Sequence, residues 1–124
     1  MKIAIFENEY EAAVKTPFEA VNIIYFNNQL EVTNFVSSQD IGDFSKIFDF
    51  KLVFVDIHLS RRSELDGFDI AKKIIELGYP KEQIVVLTGH LGIEKKIAEK
   101  GLPNLKVVTK PIFLDKLRNA IKVN

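Results

Sequence analysis

Two stretches of this chain, Leu52-Val53-Phe54-Val55 and Ile84-Val85-Val86-Leu87, are apolar at every position. A strand with one wet face alternates apolar and polar side chains, whereas a strand apolar throughout needs cover on both faces. The rest of the sequence supplies that cover by alternating strand-like and helix-like segments. Strands are expected at about 2–6, 30–36, 51–56, 83–88 and 105–109. Between them, Thr16-Pro17-Phe18-Glu19 reads as a helix start, with Thr16 as cap, Pro17 in the first position and Glu19 closing a capping box, and the helix runs to about Asn27. For residues 8–15 a preceding helical turn interrupted by Pro17 is one option that the sequence does not decide, and within the unclear segment 37–50 one short helix is expected at 44–48. A third helix follows Gly67, with Asp66 as its cap, Ile70, Ala71, Ile74 and Leu77 on one face, and Gly78 as its stop. The fourth, at about 92–100, has only Ile93, Ile97 and Ala98 to bury before Gly101, so it is expected to be the least firmly held. Pro111 opens the last, with Phe113, Leu114, Leu117 and Ile121 facing inward. Five strands separated by helices imply a parallel sheet covered on both faces, and right-handed crossovers bring every strand's C-terminal end to one edge.

That edge is where open α/β sheets hold ligands, and the residues delivered to it are polar. Glu7-Asn8-Glu9 follows the first strand, Asp56 ends the third, Thr88 the fourth, and Lys110 follows the fifth. Such a set suits transfer of a phosphoryl group to a carboxylate. An exposed, oriented carboxylate is a competent nucleophile, and the transferring group needs cations and donors around its three equatorial oxygens. Asp56, Glu7 and the Asn8 amide oxygen offer ligands for Mg²⁺; Lys110 offers a charge and Thr88 a hydroxyl. Glu9 reads as a loop residue.

The chain-wide figures remove several other classes. At 124 residues the chain fits one domain. Lys and Arg together number 17, as do Asp and Glu, so the basic excess of a nucleic-acid binder is missing. The doublets Arg61-Arg62, Lys72-Lys73 and Lys95-Lys96 read as solvated faces. With no cysteine there is no disulfide or thiolate metal site. The first apolar run is too short for a signal core or a membrane span, so a cytoplasmic protein is expected.

The pieces Ile5-Phe6-Glu7-Asn8-Glu9, Leu52-Val53-Phe54-Val55-Asp56, Asp66-Gly67, Val86-Leu87-Thr88-Gly89 and Thr109-Lys110-Pro111, in this order, resemble a response-regulator receiver domain, of the CheY-like kind. The resemblance spans essentially the whole chain. It implies a flavodoxin-like, doubly wound five-stranded parallel sheet in the order 2-1-3-4-5 with five helices. It also implies that Asp56 is the phosphoacceptor, that Glu7 and Asn8 flank Mg²⁺, and that the His58 backbone carbonyl is a further metal ligand. Thr88 would be the switch hydroxyl, Lys110 the phosphate-contacting lysine, and Lys110-Pro111 a cis bond. A histidine kinase or phosphotransfer protein would supply the phosphoryl group. Output would pass through the helix 4, strand 5 and helix 5 face to a protein target, as a monomer or a phosphorylation-linked dimer. The chain would stand alone as a single receiver domain with no output domain. It would be an enzyme only toward itself, in self-phosphorylation and self-dephosphorylation.

Four departures from the family pattern stand out. Asn8 occupies the place of a second Asp, which weakens the expected Mg²⁺ affinity. Val107 takes the place of the aromatic partner of the switch residue. The loop from Asp56 to Asp66 is longer than usual, with Ser60 in place of Pro and Arg61 and Arg62 added. The histidines, His58 and His90, lie two residues after Asp56 and two after Thr88, where receivers tune loss of the phosphoryl group. Imidazole titrates near neutrality, so the pair is a candidate for making phosphoryl lifetime depend on pH; the plainer reading is two exposed loop residues. Two rival functions follow: a receiver-like interaction module phosphorylated poorly or not at all, and a small flavodoxin-like enzyme or nucleotide binder. The second is disfavoured because no Gly-rich loop follows the first strand.

Overall fold

The computed structural model describes residues 1–59 and 61–122; Ser60 lies outside the described residues. Five parallel strands form one sheet, β1 (Lys2–Phe6), β2 (Glu31–Phe35), β3 (Leu52–Asp56), β4 (Ile84–Thr88) and β5 (Lys106–Thr109), in the order β2-β1-β3-β4-β5. The described α-helices are α1 (Lys15–Tyr25), α2 (Gly67–Glu76), α3 (Ile93–Glu99) and α4 (Leu114–Lys122).

The two faces of the sheet follow the two-residue period of a strand. Ala4, Phe6, Val53, Val55, Ile84 and Val86 pack with Ile70 and Ile74 of α2 and Ile93 and Ile97 of α3. Their sequence neighbours Ile3, Ile5, Leu52, Phe54, Val85 and Leu87 pack on the other side with Phe18 and Val21 of α1 and Leu117 and Ile121 of α4. β3 and β4 are therefore apolar throughout because each face meets its own pair of helices.

Several local expectations are corrected. The helical path begins earlier than Thr16. A wide π turn at Tyr10–Val14 runs directly into α1, the Lys15 N–H donating to the Tyr10 carbonyl, so Thr16 lies inside the helix rather than at its cap. Pro17 has no N–H to give to the turn before it, and the wide turn accommodates that gap. The short helix expected at 44–48 is present as a 3₁₀ stretch, Phe44–Asp49, and a second, Ser38–Ile41, precedes it. Leu77 and Phe113 are exposed, and so is Ala98. Tyr79 is buried just past α2 and Ile112 just before α4. Asp66 caps α2 as expected, its side chain accepting from the Asp69 N–H, and Gly78 and Gly101 take positive φ after α2 and α3. The Lys110-Pro111 bond is cis. Ile93 and Ile97 are core residues, and Val107 packs partly buried beside them.

The loop after Asp56 closes on itself. The Gly67 N–H donates to the Ile57 carbonyl at 3.4 Å, and a Cβ on Gly67 would stand 2.2 Å from the Asp56 carbonyl oxygen and 2.7 Å from Ile57 Cα. Both neighbours are backbone, so neither can swing aside. Gly67→Ala is expected to destabilise the fold by about 1–3 kcal/mol, as overpacking typically does, read as a lower urea midpoint; an unchanged midpoint would show that the loop does not close this tightly.

Candidate functional site

The strand period also decides what meets at the C-terminal edge. Ile5 pairs with Phe54 across β1 and β3, so two residues further on Glu7 and Asp56 face the same side. Val108 of β5 belongs to that side too, and Lys110 lies two residues beyond it. The three polar groups meet. The Lys110 ammonium donates to Glu7 Oε1 and to Asp56 Oδ2, the latter at 3.2 Å. Glu7 is 0% exposed and Asp56 6%.

This is a small, largely buried, charged cluster with two carboxylates for one ammonium. Burial first, and then the neighbouring Asp56 carboxylate, push the Glu7 carboxyl up to about 8 against the pull of Lys110. Burial works to lower the Lys110 ammonium, but its bonds and charge contacts with Glu7 and Asp56 outweigh that and hold it above its ordinary value. The direction for Glu7 rests on a plain cause: two buried acids cannot both ionise cheaply beside one cation, and the proton belongs to the cluster. Glu7 Oε2 is buried with no hydrogen-bond partner. An unpaired buried carboxylate oxygen, a second carboxylate and backbone carbonyls nearby are hard oxygen donors, the kind Mg²⁺ takes without an all-protein cage. Among the described residues no group of three or more His, Cys, Asp or Glu side chains could hold a metal.

Other residues fix the cluster. The Lys110 N–H donates to the Thr88 carbonyl at 2.8 Å, and the Asp56 side chain is anchored by the His58 N–H on Oδ1 at 3.0 Å. Asn34 of β2 donates through Nδ2 to the carbonyls of Ile5 and Glu7 at 3.1 and 2.9 Å, holding the end of β1. The long loop is tied to the β2–β3 connection. The Ser38 N–H donates to Ser63 Oγ at 2.8 Å, the Leu65 N–H to Ser38 Oγ at 3.0 Å, and the Gln39 amide to the Arg62 carbonyl at 2.6 Å. Neither Asn34 nor this serine-glutamine clasp was singled out from the sequence, because its partners are distant along the chain and of ordinary polar type.

Not every expected residue joins the cluster. Thr88 shares the parity of Ile84 and Val86, which pack toward α2 and α3; it is fully buried, and its hydroxyl oxygen accepts from the His90 N–H at 3.1 Å. Asn8 is exposed and lines a separate hollow of about 450 Å³ with Glu9, Tyr10, Glu11, Ala12, Asn34 and Val36. His58 and His90 are exposed and meet edge to face, their ring centroids 4.8 Å apart.

No family model matches the chain. Over 86 residues it is 28% identical to the cell cycle response regulator CtrA of Brucella ovis, a match covering 66% of this chain and 35% of that protein. The chain thus spans about a third of the length of the curated relatives it matches. The signal receiver domain of a DNA-binding response regulator from Colwellia psychrerythraea superposes with a TM-score of 0.74 at 20% identity, covering 98% of this chain and 95% of that one. The receiver domain of NtrX from Brucella abortus gives 0.66 at 23% identity, covering 98% and 99%. The chemotaxis protein CheY4 of Vibrio cholerae gives 0.68 at 17%, covering 98% and 95%. The fold is that of response-regulator receiver domains, with the strand order that the resemblance implied.

No helix among the described residues is long and apolar enough to cross a membrane.

The raised Glu7 group has a consequence for stability. An unfolded Glu ionises near 4.5, whereas the folded protein keeps its proton to higher pH, so between those values the folded state binds more protons and loses stability as pH rises. In protein freed of divalent cations by chelation, urea unfolding should show stability falling by up to a few kcal/mol from about pH 5 to about pH 8. Glu7→Gln should flatten that fall; an equally steep fall in the variant would place the proton elsewhere.

Proposed function

We propose that this chain is a phosphoryl-accepting receiver of a two-component system. A histidine kinase or phosphotransfer protein presents phosphohistidine at the C-terminal edge of the sheet. An Asp56 carboxylate oxygen bonds to phosphorus as the phosphorus–nitrogen bond breaks, its electron pair returning to the donor imidazole. The single observation that carries this reading is the Lys110 ammonium in contact with both Glu7 and Asp56. It supplies a fixed positive charge where the transferring oxygens need one. Glu7, Asp56 and the His58 carbonyl would hold Mg²⁺, with Asn8 able to join only by turning inward from its hollow. When bound, the ion supplies charge neutralisation at the phosphoryl oxygens.

The new charge at Asp56 draws donors inward. Thr88 would respond by giving up the bond its hydroxyl accepts from the His90 amide, and releasing that bond would remodel the turn into α3. The output surface is then α3, β5 and α4. β5 is an edge strand, and a groove of about 340 Å³ beside it is lined by Lys106, Val107, Val108, Lys116, Asn119 and Ala120, which suits a protein target. A second reading, an interaction module phosphorylated poorly or not at all, is favoured by the outward Asn8 and by Val107.

The chain incubated with acetyl phosphate or phosphoramidate and Mg²⁺ should gain the mass of one phosphoryl group, and Asp56→Asn should gain none. No adduct on the unaltered chain would favour the interaction module. An adduct that survives Asp56→Asn would remove Asp56 as acceptor.

A further inference from the structure

The two imidazoles that meet at the mouth have no part in the carboxylate cluster, yet the fold brings them together by a repeated device. Each histidine lies two residues past the end of a strand, and each is held there by its own amide: the His58 N–H on Asp56 Oδ1 at 3.0 Å and the His90 N–H on Thr88 Oγ1 at 3.1 Å. The strands concerned, β3 and β4, are hydrogen-bonded neighbours. Adjacent strands run about 4.7–4.9 Å apart, so the turns that leave β3 and β4 lie side by side, and the two ring centroids are 4.8 Å apart. Both rings are exposed and border a hollow of about 230 Å³.

We propose that His58 and His90 form a two-imidazole binding site for a borderline transition cation of the zinc, nickel or copper kind. Neutral imidazole nitrogen is a preferred ligand of these ions, whereas Mg²⁺ selects oxygen. The protein would therefore carry two cation sites of different chemistry, the carboxylate pocket for a hard ion and the histidine pair for a softer one. The rings stand edge to face at 76°. Rotation of exposed side chains between staggered wells costs little and turns a nitrogen of each toward a shared ion. Two protein ligands leave the remaining positions to water, an open site rather than a structural one.

The surrounding charge is mixed. Lys96 lines the same hollow and opposes a cation. Asp66 and Glu99 line the adjoining hollow together with Lys100, and that hollow shares His58 and Lys96, so two carboxylates stand against two ammonium groups. An occupied site would tie the loop after β3 to the loop after β4 directly outside Asp56. The proposal does not depend on phosphoryl transfer, because it concerns binding alone.

The test is calorimetric titration of the whole chain with Zn²⁺ in excess Mg²⁺, which keeps the oxygen pocket in contact with its preferred ion. One Zn²⁺ should bind per chain. His58→Ala and His90→Ala should each weaken binding by roughly tenfold or more, at least the loss seen when even an outer partner of a metal ligand is removed. Zn²⁺ should raise the thermal midpoint of the unaltered chain and of neither variant. Both side chains are exposed, so the variants should keep the fold, checked by their metal-free midpoints. Absence of Zn²⁺ binding, binding unchanged in either variant, or binding abolished by Mg²⁺ would overturn the proposal.

Discussion

One ammonium set against two buried carboxylates is the constraint around which this molecule is arranged. Glu7 has no exposed surface, and a buried acid is tolerated only when its charge is met or its proton kept. Lys110 meets part of that charge and reaches it from a strand at the far side of the sheet. Three segments, the ends of β1 and β3 and the residue past β5, must therefore finish level with one another. The parallel register that aligns Ile5 with Phe54 and Leu87 with Val108 provides this levelling. Affinity for positive charge at the pocket and stability of the fold are opposed here. The arrangement that leaves Glu7 Oε2 without a partner is also the one that makes the pocket ready for a cation.

Much of this was legible in the sequence because it depends on periods. The all-apolar runs at Leu52–Val55 and Ile84–Leu87 required two covered faces, and both exist. The polar residue after each run marked the strand tips. What was not legible depends on the third dimension of local turns. Thr16, with Glu19 after it, has the chemistry of a cap, but the helical path had already started at Tyr10 because Glu9 and Tyr10 enter a wide turn that no simple pattern announces. Phe113 and Leu77 continue apolar helical spacing, yet they stand at helix ends where the chain bends away, and Ile112 and Tyr79 take the buried positions.

The candidate site divides in the same way. Glu7, Asp56 and Lys110 came together as the residue types demanded. Thr88 reached the same edge with the opposite parity, so its hydroxyl found the His90 amide and not the carboxylates. Counting residues along β4 from Ile84 would have revealed this; the strand period carries orientation as well as location. The clasp made by Ser38, Gln39 and Ser63 could not be counted in this way, since it joins two irregular segments whose approach is set by the tertiary structure alone.

The close approach of Gly67 to the Asp56 carbonyl has a consequence for how such a protein diversifies. Because the chain leaves the sheet and returns to it at nearly one point, the excursion between Ile57 and Asp66 behaves as an exchangeable cassette. Its length and composition can change while the sheet and the start of α2 keep their places, so new surface chemistry can be acquired beside an unaltered acidic pocket, provided the returning residue stays without a side chain.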